Sequence, residues 1–180
     1  MLTIFCKRTR EIIANKAELE RALNVKIDAT KKNVIIDGAA VDEYEASIIL
    51  DAISFGFSAK RALLLLNPEN IFRKIRIKSF TRRTLESARS RLIGSEGKTR
   101  RTIEDVGDCE IVIGDSEVGV IGAAESIEKT TTAITNLIRG SKQANVYNFL
   151  EKMNAIKKKQ NKEIDTFKNI KKVDDDGEAE

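Results

Sequence analysis

The sequence predicts an α+β fold built from two copies of one small unit. Three observations carry this. Ile71 to Gly140 alternates strand and helix patterns in the order β-α-α-β-β-α. The preceding stretch repeats the strand pair and long helix that close this order, and the only proline, Pro68, stands between the two. A chain of 180 residues, 41% hydrophobic and 33% charged, can bury one medium core or two small ones.

In the first part, "VKIDA" and "NVIIDG" read as a strand pair, and "EYEASIILDAISFGF" reads as a long helix ending near a glycine. A helix through "SAKRALLLL" should stop ahead of Pro68, because the residue before proline is pushed out of the helical region. A boundary is expected near residue 70. "IFRKIRIKSF" alternates apolar and charged residues, as does a strand with one wet, basic face. "RTLESARSRLI" reads as a helix that stops at Gly94, and Thr99 to Val106 as a short amphipathic helix with Ile103 and Val106 inward. "CEIVIG" and "EVGVIG" are short strands joined by "GDS", a tight-turn composition. "AAESIEKTTTAITNLIRG" is a long helix with Ile127, Thr131, Ile134 and Ile138 at helical spacing, closed by Gly140. Laid on the first copy, it pairs Gly38 with Gly122 and, after one gap, Ile36 with Ile121. "NVYNFLEKMNAIKKKQNKEI" continues as helix on a stripe of Val146, Phe149, Leu150 and Met153. "KNIKKVDDDGEAE" loses periodicity and reads as a disordered acidic tail. The expected division is 1–70, 71–150 and a charged extension, 151–180.

Several function classes are excluded. The absence of histidine removes His-based acid–base catalysis, Ser-His triads and His metal sites. No cofactor, metal or catalytic residue is expected. Glu104, Asp105 and Asp108 read as a solvated helix end rather than a metal cluster. No apolar run approaches the ~20 residues that cross a bilayer. Cys6 and Cys109 stand far apart without CxxC spacing, and the N-terminal stretch is too charged for an export signal, so reduced thiols and a cytoplasmic location are expected.

The formal charge of +4 conceals an asymmetry. Residues 1–70 carry 10 basic and 10 acidic side chains, whereas Ile71 to Glu104 carries 11 basic against three acidic. Such a concentration attracts polyanions. Within it lies "RLIGSEGKTRRTIE". Gly97-Lys98-Thr99 looks like the end of a P-loop, but Leu92 stands where that motif requires its leading glycine. A bare helix–helix turn would also use two glycines. The setting favours a clamp on single-stranded nucleic acid: Gly94 and Gly97 admit a sugar-phosphate chain close to the backbone, and the helix from Lys98 points its positive end at a phosphate.

This combination resembles a KH domain of the eukaryotic (type I) topology, in which a GXXG loop clamps about four nucleotides. "IFRKIRIKSF", "RLIGSEGKTRRTIE", "VGVIG", "LIRG" and "VYNFLE", in this order, are similar to the archaeal branch of the KH-domain ribosome-assembly factors known as partner of the Nob endonuclease. The resemblance implies two tandem KH-like units and an RNA-binding protein that is not an enzyme. It implies binding to the 3′ region of small-subunit ribosomal RNA, in maturation of the small subunit. Partners would be that RNA, the Nob-type endonuclease and other assembly or initiation factors. By matching position Gly94, Ser95, Glu96 and Gly97 form the clamp, Lys98, Arg100 and Arg101 line its exit with Arg91 ahead of it, and Ile111 and Ile113 sit under the bases. The first unit lacks GXXG. Its nearest equivalent is Ala14-Asn15-Lys16-Ala17, followed by a helix about one turn shorter, so this copy is expected to be degenerate. Gln143 stands where the family commonly has histidine. Two competing readings are a general KH-type RNA binder and a protein-interaction adaptor whose basic face meets an acidic partner.

Overall fold

The computed structural model describes the backbone of residues 1–175 and the side chains of residues 1–160. The chain runs β1 (Leu2–Phe5), α1 (Thr9–Ala14), α2 (Lys16–Leu23), β2 (Lys26–Ala29), β3 (Asn33–Asp37) and α3 (Ala40–Phe55). After the short α4 (Ala59–Ala62) and a 3-10 turn at Leu63–Leu66 it repeats the pattern. The second set is β4 (Asn70–Arg76), α5 (Leu85–Ile93), α6 (Lys98–Gly107), β5 (Cys109–Ile113), β6 (Glu117–Ala123) and α7 (Ala124–Arg139), followed by α8 (Gln143–Asp175). The two antiparallel sheets have the same order, β1-β3-β2 and β4-β6-β5. Each sheet lays one face on its own helices.

The duplication extends to single bonds. Glu20 accepts a hydrogen bond from the Ile27 amide at 2.8 Å, and Glu104 accepts one from the Ile111 amide at 2.9 Å. Asn24 and Asp108 end the matching helices in the left-handed conformation, at φ 52° and 54°. Gly56 and Gly140 end α3 and α7 at φ 145° and 118°. Each pair is separated by the same 84 residues, without a gap. Ile36 therefore corresponds to Val120, not to Ile121. Strand alternation forces this register: Val34 and Ile36 face one set of helices and Val118 and Val120 the other, while Ile121 points away into the first unit's core.

The copies diverge before their second helix. Leu2 and Arg73 hold equivalent sheet positions, opposite Ile36 and Val120. From Leu2 to Glu20 the chain runs 18 residues, but from Arg73 to Glu104 it runs 31. The surplus is the loop before α5, a longer α5 and residues 94–97. Helix α2 has eight residues and α6 ten, a difference of about half a turn rather than one.

The expected wet, basic face of the "IFRKIRIKSF" strand is present at Lys74, Arg76 and Lys78, which are exposed while Ile75 and Ile77 are buried, but at Phe72 the outer face is covered by the first unit. Phe72 on β4 meets the rings of Phe55 and Phe57 edge-on, at 5.8 and 5.7 Å between centroids. Gly119 leaves room for them: a Cβ there would lie 2.6 Å from Phe55 and 2.9 Å from Phe57. Lys74 pairs with Asp51 at 2.7 Å, and Arg61 with Glu110 at 2.9 Å. These exposed ion pairs contribute at most about 1 kcal/mol each, so the aromatic cluster dominates the contact.

Other expectations shift by a residue or an element. β1 went unread because "LTIF" is too short to show alternation. β4 stops at Arg76, and Ile77–Ser79 turns as its amide at Ile77 donates to Ser116. On α7 it is Thr130, rather than Thr131, that is fully buried. Helix α8 continues to Asp175, beyond the point at Lys168 where periodicity fades; the rest of the acidic tail, 176–180, lies outside the described residues.

Candidate nucleic-acid interface

Helix α5 begins at Thr84, whose hydroxyl accepts from the Ser87 amide at 3.3 Å, and ends at Gly94, at φ 71°. The next residues turn tightly. Glu96 and Gly97 have φ of 52° and 75°, and the Gly97 amide donates to the Gly94 carbonyl at 3.2 Å. Helix α6 then starts at Lys98.

The two glycines do different work. Gly94 rests on Thr99, where a Cβ would fall 2.1 Å from the hydroxyl oxygen and 2.9 Å from the backbone nitrogen. Only glycine fits there. Gly97 faces outward, and a Cβ there would approach nothing nearer than the Arg101 guanidinium at 3.7 Å. Gly94 thus builds the loop and Gly97 opens it. Thr99 is buried, and its hydroxyl accepts from the Gln143 side chain at 2.7 Å, so the start of α8 braces the loop from behind. The Arg101 guanidinium donates to the Glu96 carbonyl and closes the turn from the front.

No side chain caps the N-terminus of α6. Its first-turn N–H groups and its positive dipole end point past Gly97, and Lys98 beside them is exposed. A cleft of about 570 Å³ opens at this point. Ile93, Gly97, Arg100, Val112 and Ile113 line it from the second unit, and Arg8, Phe57 and Arg61 from the first. The arrangement offers backbone donors and cations at one wall and an apolar floor at another, which suits a phosphate chain with bases turned inward.

The predicted residues are only partly brought together. Gly94 to Gly97 form the loop, and Lys98 and Arg100 stand at its rim. Arg101 is turned back to hold the loop. Arg91 points elsewhere: it donates to the carbonyls of Leu137 at 3.3 Å and Ser141 at 2.7 Å, fastening α5 to the end of α7. Arg91→Ala should cost about 1.5–3 kcal/mol in chemical denaturation. It should change RNA affinity less than about threefold, as a residue without a phosphate contact would. Ile113 is half-buried at the cleft, but Ile111 is 2% exposed and lies in the core under the helices. Alternation along β5 puts Ile111 inward and Val112 toward the cleft. The same rule applied to "CEIVIG" would have found Val112. Arg8 and Phe57 had no such signal, since they come from the other unit.

Glu104 is structural. Its carboxylate holds β5 through the Ile111 amide and stands 3.8 Å from both Arg61 and Arg100. Burial pushes its carboxyl above the usual carboxylate range, against the opposing pull of that hydrogen bond and the two arginines. A raised carboxyl pKa favours the fold at low pH and loses that contribution as pH rises through it. The melting temperature of the native protein, relative to Glu104→Gln, should therefore fall as pH rises above the ordinary carboxylate value of about 4.5. A margin that grows in the native protein's favour would contradict this. Among the described residues no cluster of His, Cys, Asp or Glu could hold a metal. Burial also raises the Cys109 thiol, which keeps it protonated.

The first unit has no counterpart to the loop. Helices α1 and α2 meet across Asn15 alone, at φ −112°, and its side chain is tied to the Glu11 carbonyl at 2.8 Å.

Comparison with known proteins agrees with this geometry. Residues 71–155 match the family model described as eukaryotic type KH-domain (KH-domain type I). A KH domain-containing protein of Methanocaldococcus jannaschii is 29% identical over 147 residues, 76% of this chain and 64% of the relative. The RNA-binding protein PNO1 of Oryzias latipes is 32% identical over 69% of this chain and 51% of its own length. Fungal proteins of that name are termed pre-rRNA-processing proteins. The chain thus spans roughly half to two thirds of the length of these curated relatives. Among solved structures, a chain in the complex of a/eIF2alpha, aDim2p and rRNA from Pyrococcus horikoshii superposes with a TM-score of 0.76 at 29% identity. The match covers 84% of this chain and 92% of that one. With its strand order and its glycine loop in agreement, residues 71–155 match a type I KH domain, and the chain is similar to the KH proteins named PNO1 and Dim2.

Proposed function

We propose that this protein binds the single-stranded 3′ region of small-subunit ribosomal RNA and assists maturation of the small ribosomal subunit. It acts by binding rather than by catalysis. The observation that carries this is the open Cα of Gly97, set between the uncapped end of α6 and the cleft. A backbone phosphate seats on the N–H groups of α6, Lys98 neutralises it, and the following bases enter the cleft over Val112 and Ile113. The related complex with rRNA and the relatives named for pre-rRNA processing support the choice of RNA. Residues 1–70 act as a degenerate KH-like unit that walls the cleft, and 71–150 as the working unit. A Nob-type endonuclease and the α subunit of an initiation factor are the partners to test, in the cytoplasm.

Fluorescence anisotropy with three short strands tests the proposal: the small-subunit rRNA 3′ end, a scrambled RNA and the matching DNA, each at two salt concentrations. The rRNA strand should bind at least about tenfold tighter than the scramble. Equal binding of all three would reduce the basic window to a general electrostatic surface.

A further inference from the structure

A second basic surface runs alongside α5, from the loop that precedes it to the end of α7 and the start of α8. The loop between β4 and α5 packs there against the end of α7. Lys78 donates to the Arg83 carbonyl at 2.9 Å, and the Arg83 guanidinium sits beside Gly140, 3.2 Å from where a Cβ would be. Arg139 lies over the Phe80 ring at 5.7 Å, with Lys142 just beyond. Arg82 and Lys142 are exposed. Lys78, Arg82, Arg83, Arg139 and Lys142 form no ion pair among the described residues. The nearby Arg89, by contrast, finds Asp115 at 3.4 Å.

This patch belongs to the second unit alone. Three of its cations fall in the loop that lengthens this copy. At the positions equivalent to Arg139 and Lys142, 84 residues earlier, the first unit has Phe55 and Ser58. Five cations without an ion pair among the described residues, with Glu86 in the first turn of α5 as a nearby acid, raise the local positive potential and attract a polyanion.

We propose that this surface binds the phosphate backbone of double-stranded RNA flanking the strand held in the cleft. The inference rests on the RNA-binding reading above. Two features favour a duplex. None of the exposed large apolar residues lies in the patch, and Phe80 is covered by Arg139, so nothing offers a platform for unpaired bases. An A-form duplex is read through its backbone and shape, which cations alone can do. The same lack of an apolar centre argues against a protein partner, since such interfaces have an apolar core. Helix α5 spans roughly 13 Å between Arg83 and the glycine loop, and Lys142 adjoins Gln143 behind that loop, so the duplex would lie alongside α5 and lead toward the clamp.

The test compares the bare rRNA 3′ strand with the same strand carrying a hairpin at its 5′ or its 3′ end. Each is titrated with the native protein, with Arg82→Glu/Lys142→Glu and with the neutral Arg82→Gln/Lys142→Gln. The native protein should bind one hairpin form about tenfold tighter than the bare strand, with a steeper salt dependence. The Glu pair should lose that gain and bind the bare strand as the native protein does, with the Gln pair between. Three results would overturn the proposal. A hairpin that adds nothing while the bare strand binds would sink it and leave the clamp reading intact. The same result with a poly-glutamate peptide binding the native protein and not the Glu pair would make the patch a protein surface. No binding of any RNA by the native protein would end both readings.

Discussion

Gly97→Asp should weaken RNA binding by at least about 100-fold and leave the fold in place. The loss of one charge-assisted phosphate contact is worth about 1.5–3 kcal/mol, and a carboxylate at the positive end of α6 adds repulsion where the phosphate would sit. The fold should survive because the position has space: the nearest atoms to a Cβ are those of the flexible Arg101. The cost that remains is conformational. A non-glycine residue at φ 75° gives up about 1 kcal/mol, and Asp tolerates that region better than most. Anisotropy and a thermal melt on the same sample measure both halves. Gly94→Ala makes an informative contrast: its Cβ would collide with Thr99, so it should lose stability as well as binding.

The largest stability effect is expected from Phe57→Ala, a loss of about 3–5 kcal/mol in urea or guanidinium unfolding. Phe57 is fully buried, packs its ring against Phe72 across the two units, and also borders the cleft. Its removal opens a cavity in the surface that joins the copies. RNA affinity should fall with it, because the first unit would no longer hold one wall of the cleft in place. A variant that unfolds like the native protein would mean that the units do not depend on this contact.

Much of this was legible before any coordinates. The glycine loop was legible as a tight turn between two helices, because Gly94 and Gly97 stand where one helical pattern stops and the next begins, within the most basic window of the chain. The duplication was legible too, but slipped by one residue. Ile35-Ile36 and Val120-Ile121 are both β-branched pairs, and one-dimensional matching cannot tell which member faces the helices. Strand register decides it, and register is a property of the sheet. Arg91 and Ile111 were misplaced for a related reason. Composition tells that a side chain is cationic or apolar, while only the packed neighbours, the end of α7 for one and the core for the other, tell where it points. Arg8 and Phe57 were out of reach altogether. They join the site because two units fold against each other, and no local pattern encodes that contact. Gln143 registered only as a departure from the family; its hydrogen bond to Thr99 gives it a place behind the glycine loop.

The measurement that tests the central claim most directly is a backbone amide NMR titration of the intact protein with the rRNA 3′ strand. If the clamp reading is right, the largest shifts will fall on Gly94 to Arg100, then on Val112 and Ile113 in the cleft. Saturation should occur at one strand per protein. Shifts spread over the basic surface with the amides of Gly97 and Lys98 unmoved would contradict it.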